Sequence, residues 1–180
     1  MKTAKPMIRT FTGRMVRHCS PQPDESDIDD IAHSLSQQCR FLGHTDGYYS
    51  VAQHSVLVSQ IVPPEDALWG LLHDAAEAYI CDMPAPSKSA PEMWFYRMAE
   101  QKLIAAVATR FGLPPAVPGS VRAADTLLLA TEFRDVTTVM DMDWVIAECG
   151  VAPLASMHIH PWPPPVAEDR FLRRFWELAR

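Results

Sequence analysis

Apolar residues along this chain recur mostly at helical spacing. Ile28, Ile31, Ala32 and Leu35 fall at i, i+3, i+4 and i+7, which predicts one buried stripe, with Asp24 or Ser26 ahead of it as the cap. A second helix is predicted over about 50–61, with Val51, Leu57, Val58 and Ile61 turned inward. The third opens at Pro63-Pro64-Glu65-Asp66, where acidic residues sit at the positive end of the helix dipole. It carries Leu68, Trp69, Leu71, Leu72, Ala75 and Ala76, apolar nearly all round, which predicts the central helix. Further helices are expected over about 91–111, stopped by Gly112, and over 120–139, with a short one beginning at Asp141-Met142-Asp143. Residues 157–165 read as extended, and 167–180 as a last amphipathic helix bearing Phe171, Leu172, Phe175 and Trp176. At the start of the chain, segments 8–11 and 14–17 flank Thr12-Gly13 and read as a small hairpin.

Composition narrows this picture. Most of the 16 prolines cluster, at 21–23, 63–64, 84–91, 114–118 and 161–165, and these clusters separate the helical segments because proline breaks a helix interior. A length of 180 residues favours one domain with a sizeable core, and 48% hydrophobic residues argue against disorder. The net charge of −6 argues against a nucleic-acid coat, which needs a basic face. No apolar run reaches the roughly 20 residues of a spanning helix, so no membrane partner is expected. The start of the chain leads into no signal-peptide core, and Cys19, Cys39, Cys81 and Cys149 form no CxxC motif. Reduced thiols and a cytoplasmic location are the expectation.

Chemistry concentrates in His73-Asp74, set within the most hydrophobic helix. Each polar group there carries a desolvation cost unless satisfied. Glu77, at i+4 from His73 and i+3 from Asp74, shares the face one turn on. Taken alone, the helix allows two readings: a ligand site, or a His–Asp hydrogen bond locking the core with Glu77 on the surface. His54 in the preceding helix and Asp125 in a later apolar run each have a bland reading too, as a satisfied core histidine and an acid reaching solvent. Together the four compose a His2Asp2 set, whose imidazole and carboxylate donors suit Zn, Mn, Co or Fe.

The blocks Val51-Ala52-Gln53-His54-Ser55, His73-Asp74-Ala75-Ala76-Glu77, Asp82-Met83-Pro84-Ala85-Pro86-Ser87-Lys88 and Ala124-Asp125-Thr126-Leu127 occur in that order. In them the chain resembles the HD-domain phosphohydrolases, and specifically their bacterial 5′-deoxynucleotidase branch, with phage deoxynucleoside triphosphate triphosphohydrolases nearby. The resemblance covers about residues 28–135. The elements above compose a compact all-α domain with a small N-terminal β-hairpin, a single domain over 1–180. The resemblance implies an HD-domain helical bundle with one divalent metal ion (Mn, Co, Zn, Fe or Ni) held by His54, His73, Asp74 and Asp125. It further implies hydrolysis of deoxynucleoside 5′-monophosphates by metal-activated water attacking phosphorus. Glu77 would act on that water or on the leaving oxygen, and Asp82 would lie at the pocket edge near the sugar. Arg40 and Lys88 would approach the phosphate, and Phe41 would stack on base or ribose. A triphosphohydrolase, possibly dATP-selective, is the alternative enzyme, and a degenerate ligand-sensing module the non-enzyme alternative.

The chain departs from that branch at Gln53, where the pattern has Glu, and at Cys39-Arg40-Phe41, which replaces an Arg-Trp pair. No histidine lies between His73 and His158, which favours a single metal. His33 reads as structural, while His44 sits in a polar loop within reach of a substrate phosphate. Trp69, Trp94, Phe95 and Tyr96 read as helical packing or as the interface of a homo-oligomer, dimeric or larger. Arg170, Arg173 and Arg174, diluted by Glu168, Asp169 and Glu177, read as a solvated face.

Overall fold

The computed structural model describes residues 7–138 and 141–180. The expected hairpin is present as β1 (Ile8–Arg9) and β2 (Met15–Val16), paired antiparallel with Ile8 opposite Val16. A 3-10 turn over Pro23–Glu25 leads to α1 (Ile28–Ser36). The cap of α1 is neither Asp24 nor Ser26 but Asp27, whose carboxylate accepts from the Asp29 amide at 3.0 Å. The proline at 23 closes its own short turn first, so Asp24 is consumed there. Ile28, Ile31, Ala32 and Leu35 are buried as the stripe requires.

Next come α2 (Val51–Ile61), capped by Ser50, then a 3-10 turn over Pro64–Asp66 and α3 (Ala67–Leu72). Two short helices, α4 (Glu77–Ile80) and α5 (Ala85–Lys88), precede the long α6 (Trp94–Arg110) and α7 (Gly119–Val136). Of the stretch expected over 120–139, position 139 lies outside the described residues. The chain closes with α8 (Met142–Cys149), an extended segment, and α9 (Pro164–Leu178). Among the described residues no helix is long and apolar enough to cross a membrane. All four cysteines are free.

The hydrophobic run over 68–76 is not the centre of the bundle. That place belongs to α2, which packs against α1, α3, α7 and α9 and is buried at every position from Val51 to Ser59. Two of its buried serines donate back into the helix: Ser55 Oγ to the Val51 carbonyl at 3.0 Å and Ser59 Oγ to the Val56 carbonyl at 2.7 Å. The α2–α3 approach is close because residue 70 is glycine; a Cβ there would lie 2.9 Å from Ser59 Cα. Trp176 also departs from expectation: it is 56% exposed, while Phe171 and Phe175 alone of that set are fully inside. The aromatic stripe likewise divides, with Trp69 in the core and Trp94 and Phe95 at the surface.

The extended segment is fastened to the bundle. Gln53 Nε2 donates to the His160 carbonyl at 2.9 Å, and its Oε1 accepts from the Trp162 amide at 2.7 Å. Arg134 donates to the carbonyls of Leu154 and Met157, while Asp135 accepts from the Ile159 amide. The hairpin is held by Asp30, a buried carboxylate that accepts from the Thr12 amide and hydroxyl at 2.7 and 2.9 Å. His33 is structural: its ring stacks on Phe11 at 3.7 Å and its Nδ1 meets Glu168 at 3.2 Å.

Candidate metal centre

The His73-Asp74 dipeptide does not sit mid-helix. Between α3 and α4 the backbone tightens, with the amides of Ala75, Glu77 and Tyr79 bonding to the carbonyls of Leu72, Asp74 and Ala76, three residues back. This 3-10-like turn carries both side chains toward α2. There His73 Nε2 lies 3.3 Å from His54 Nε2 and 3.3 Å from Asp74 Oδ2, and His54 Nε2 lies 3.6 Å from Asp74 Oδ2. One ligand atom from each of the three thus falls within 4.8 Å of the others. Asp125, on α7, joins through its carboxylate 3.2 Å from His54 Nε2 and is 45% exposed, so it forms the open side.

His54, His73 and Asp74 together fit a divalent cation. Donors about 2.1 Å from one ion stand about 3.4 Å apart in tetrahedral coordination, and the separations of 3.3, 3.3 and 3.6 Å among His54, His73 and Asp74 match that spacing. Both imidazoles present Nε2 because Nδ1 is already engaged. His73 Nδ1 donates to the Gly70 carbonyl at 2.8 Å, and His54 Nδ1 to Glu132 Oε1 at 2.6 Å. Burial and the Arg40 charge pull His54 down, but Glu132 and Asp125 more than reverse this and raise it to about 10. Burial opposes ionisation of Asp74 as well, yet His73, His54 and Arg40 hold its carboxyl well below the usual range.

Around this cluster stand the other expected residues. Glu77 is buried, its Oε2 has no hydrogen-bond partner among the described residues, and it is pushed up to about 9 by burial and by the charges of Asp74 and Asp82. An unpaired buried carboxyl oxygen is costly and marks a place where a ligand or water completes the bonding. Lys88 Nζ lies 3.8 Å from Glu77 and is bonded to Glu100 at 2.6 Å. Asp82 is anchored by its amide, which donates to Gln38 Oε1 at 3.0 Å; Gln38 Nε2 in turn donates to the Glu77 carbonyl. Burial raises the Asp82 carboxyl, and so does the nearby Asp74 charge. His44 is exposed, as are His158 and His160.

Arg40 is brought in by a strained turn. Phe41 and Leu42 both take left-handed backbone (φ 55° and 54°) ahead of Gly43 at 81°, a conformation costly for residues with a Cβ. The turn is held by the Cys39–Ser50 bridge and by the Arg40 amide on the Tyr49 carbonyl at 2.8 Å. Phe41 packs on Phe133, with ring centroids 5.3 Å apart, and the Arg40 guanidinium lies over the Phe41 ring. Arg40 Nη1 stands 3.8 Å from Asp74, and Nη2 donates to Glu132 at 3.0 Å.

Glu132 is the residue that sequence reasoning missed. Fully buried, it accepts from Arg40, from His54 and from the Tyr49 hydroxyl at 2.8 Å. Its signal was its place seven residues, two helical turns, after Asp125 in the same apolar run.

The chain is similar to YfdR of Escherichia coli (strain K12), an uncharacterized protein, at 41% identity over 173 residues, which covers 96% of this chain and 95% of that one. The chain belongs to the YfdR family. The uncharacterized protein RCAP_rcc00048 of Rhodobacter capsulatus is similar too, at 32% identity over 187 residues, again with 96% and 95% covered. No protein-family model matches the chain. The relatives span nearly the whole of it, so the cluster lies within the stretch matched.

Proposed function

We propose that this protein is a metal-dependent phosphohydrolase of nucleotides, acting on deoxynucleoside 5′-monophosphates, with His54, His73, Asp74 and Asp125 holding one divalent cation. The observation that carries this reading is the convergence of the His54 and His73 Nε2 atoms with the Asp74 carboxylate, with Asp125 of α7 standing beside His54. The ordered resemblance to the 5′-deoxynucleotidase blocks supplies the substrate class. A cation in this donor set supplies Lewis acidity toward a phosphoryl oxygen and makes water more acidic.

The side chains have matching tasks. Arg40 Nη1 lies beyond hydrogen-bonding distance of Asp74, so its hydrogens remain free for a phosphate oxygen. Glu77, buried with its Oε2 unpartnered among the described residues, would bond the attacking water or the departing 5′-oxygen while water forms the new bond to phosphorus and the P–O5′ bond breaks. Lys88, tied to Glu100, holds positive charge beside Glu77 at the rim. Asp82, anchored through its amide to Gln38, would lie near the sugar, as the resemblance implies.

The test is a matrix of metals against nucleotides with the products identified. Phosphate release from deoxynucleoside monophosphates is expected with one of Mn, Co, Zn, Fe or Ni. His73→Ala and Asp74→Ala are expected to lose about three orders of magnitude in rate, the scale of several kcal/mol of charge stabilisation. Tripolyphosphate released from a deoxynucleoside triphosphate would transfer the assignment to a triphosphohydrolase. Silence across the matrix, with no cation taken up, would leave a ligand-sensing module.

A further inference from the structure

We infer that Glu132 is a positioning residue that fixes His54 as a metal ligand through Nε2. The inference rests on the metal-site reading above and adds to it a residue outside the ligand set. An imidazole can offer either nitrogen to a cation, and its second hydrogen bond decides which. An ionised carboxylate only accepts, so the Glu132 Oε1 contact at 2.6 Å places a proton on His54 Nδ1. Nε2 is then the atom facing His73, Asp74 and Asp125 at 3.3, 3.6 and 3.2 Å.

Glu132 is itself held rigidly. Its side chain is 0% exposed, and its other bonds come from the Tyr49 hydroxyl on Oε1 and from Arg40 Nη2 on Oε2. Arg40 supplies the charge that lets a carboxylate remain ionised in the core. The Cys39–Ser50 bridge sets Arg40 and Tyr49 side by side so that both reach the same carboxylate. One group on α7 therefore links a ligand on α2 with the arginine of the strained turn. His73 differs: its Nδ1 donates to the neutral Gly70 carbonyl. A carboxylate partner makes the His54 ring the more basic and better oriented donor of the two.

The test measures cation binding and imidazole state, not turnover. Wild-type protein and Glu132→Gln, similar in volume, are titrated with zinc and with manganese, and Glu132→Ala is added. Affinity is expected to fall about tenfold in Glu132→Gln and up to about a hundredfold in Glu132→Ala, the range for loss of a partner behind a metal-bound histidine. Nitrogen-15 histidine NMR of zinc-loaded wild-type protein is expected to show His54 protonated at Nδ1, its proton far downfield from the short bond to Glu132, with zinc on Nε2. The NMR arm needs no variant, so it decides the matter even if Glu132→Ala fails to fold. Zinc on Nδ1, or unchanged affinity in a folded Glu132→Gln, overturns this inference and leaves the metal site standing. No uptake by wild-type protein overturns both.

Discussion

Gln53 shows how one side chain can be chosen by two backbone groups. Its amide donates to the His160 carbonyl and accepts from the Trp162 amide, and the whole residue is 1% exposed. A glutamate, as the nucleotidase pattern has, could accept but not donate once ionised. Gln53→Glu should therefore destabilise the fold by about 1–3 kcal/mol, the cost of an unsatisfied buried group. The loss should grow as pH rises, because only the protonated carboxyl can still donate to His160. Thermal melts at pH 5 and pH 8 would check this, and equal melting temperatures at the two pH values would contradict it. Asp30 follows the same logic: an acid inside the protein is tolerated because Thr12 supplies both an amide and a hydroxyl.

At the scale of elements, the contact between α2 and α3 depends on Gly70. Helix propensity alone favours alanine there by about 1 kcal/mol. The close Ser59 backbone argues the reverse, since a Cβ would stand 2.9 Å from Ser59 Cα and 3.2 Å from its nitrogen. Gly70→Ala is accordingly expected to destabilise by about 1–3 kcal/mol, the usual cost of overpacking, and chemical denaturation would read the sign directly. The same change displaces the carbonyl that orients His73, so metal affinity should fall with stability. The strain in the turn at Phe41 and Leu42 belongs to this scale too: the Cys39–Ser50 bridge and the Phe41–Phe133 contact hold a conformation that neither residue favours alone.

For the whole molecule, pH acts through carboxylates that hold the segments outside the bundle: Glu25 acts within the N-terminal stretch, and Asp135 holds the segment before α9. Burial raises Glu25, but its bonds from Arg17 and the Gln22 amide win, and the net shift is downward from 4.5. Asp135 is likewise lowered from 3.8, burial being outweighed by Arg134 and the Ile159 amide. A carboxyl with a lower folded than unfolded pKa stabilises the protein above the unfolded value, and that contribution disappears as pH falls through the folded one. Stability should therefore decline below about pH 4.5, and Glu25→Gln should flatten the decline in urea titrations run from pH 6 to pH 3. The sequence by itself determined most of the elements, because periodic stripes and proline breaks act within a few residues, although the cap of α1 fell on Asp27 rather than on Asp24 or Ser26. It also marked His54, His73, Asp74 and Asp125, since polar residues in apolar runs stand out without any partner being known. Partnership was another matter. His54 and Glu132 are 78 residues apart and Gln53 and Trp162 are 109 apart, and the place of Glu132 two turns after Asp125 does not tell which partner it meets. Only the packing of α2 against four neighbours decided which faces meet. It made α2 rather than α3 the centre of the bundle, set Arg40 against Glu132, and turned Nε2 of both histidines toward one point.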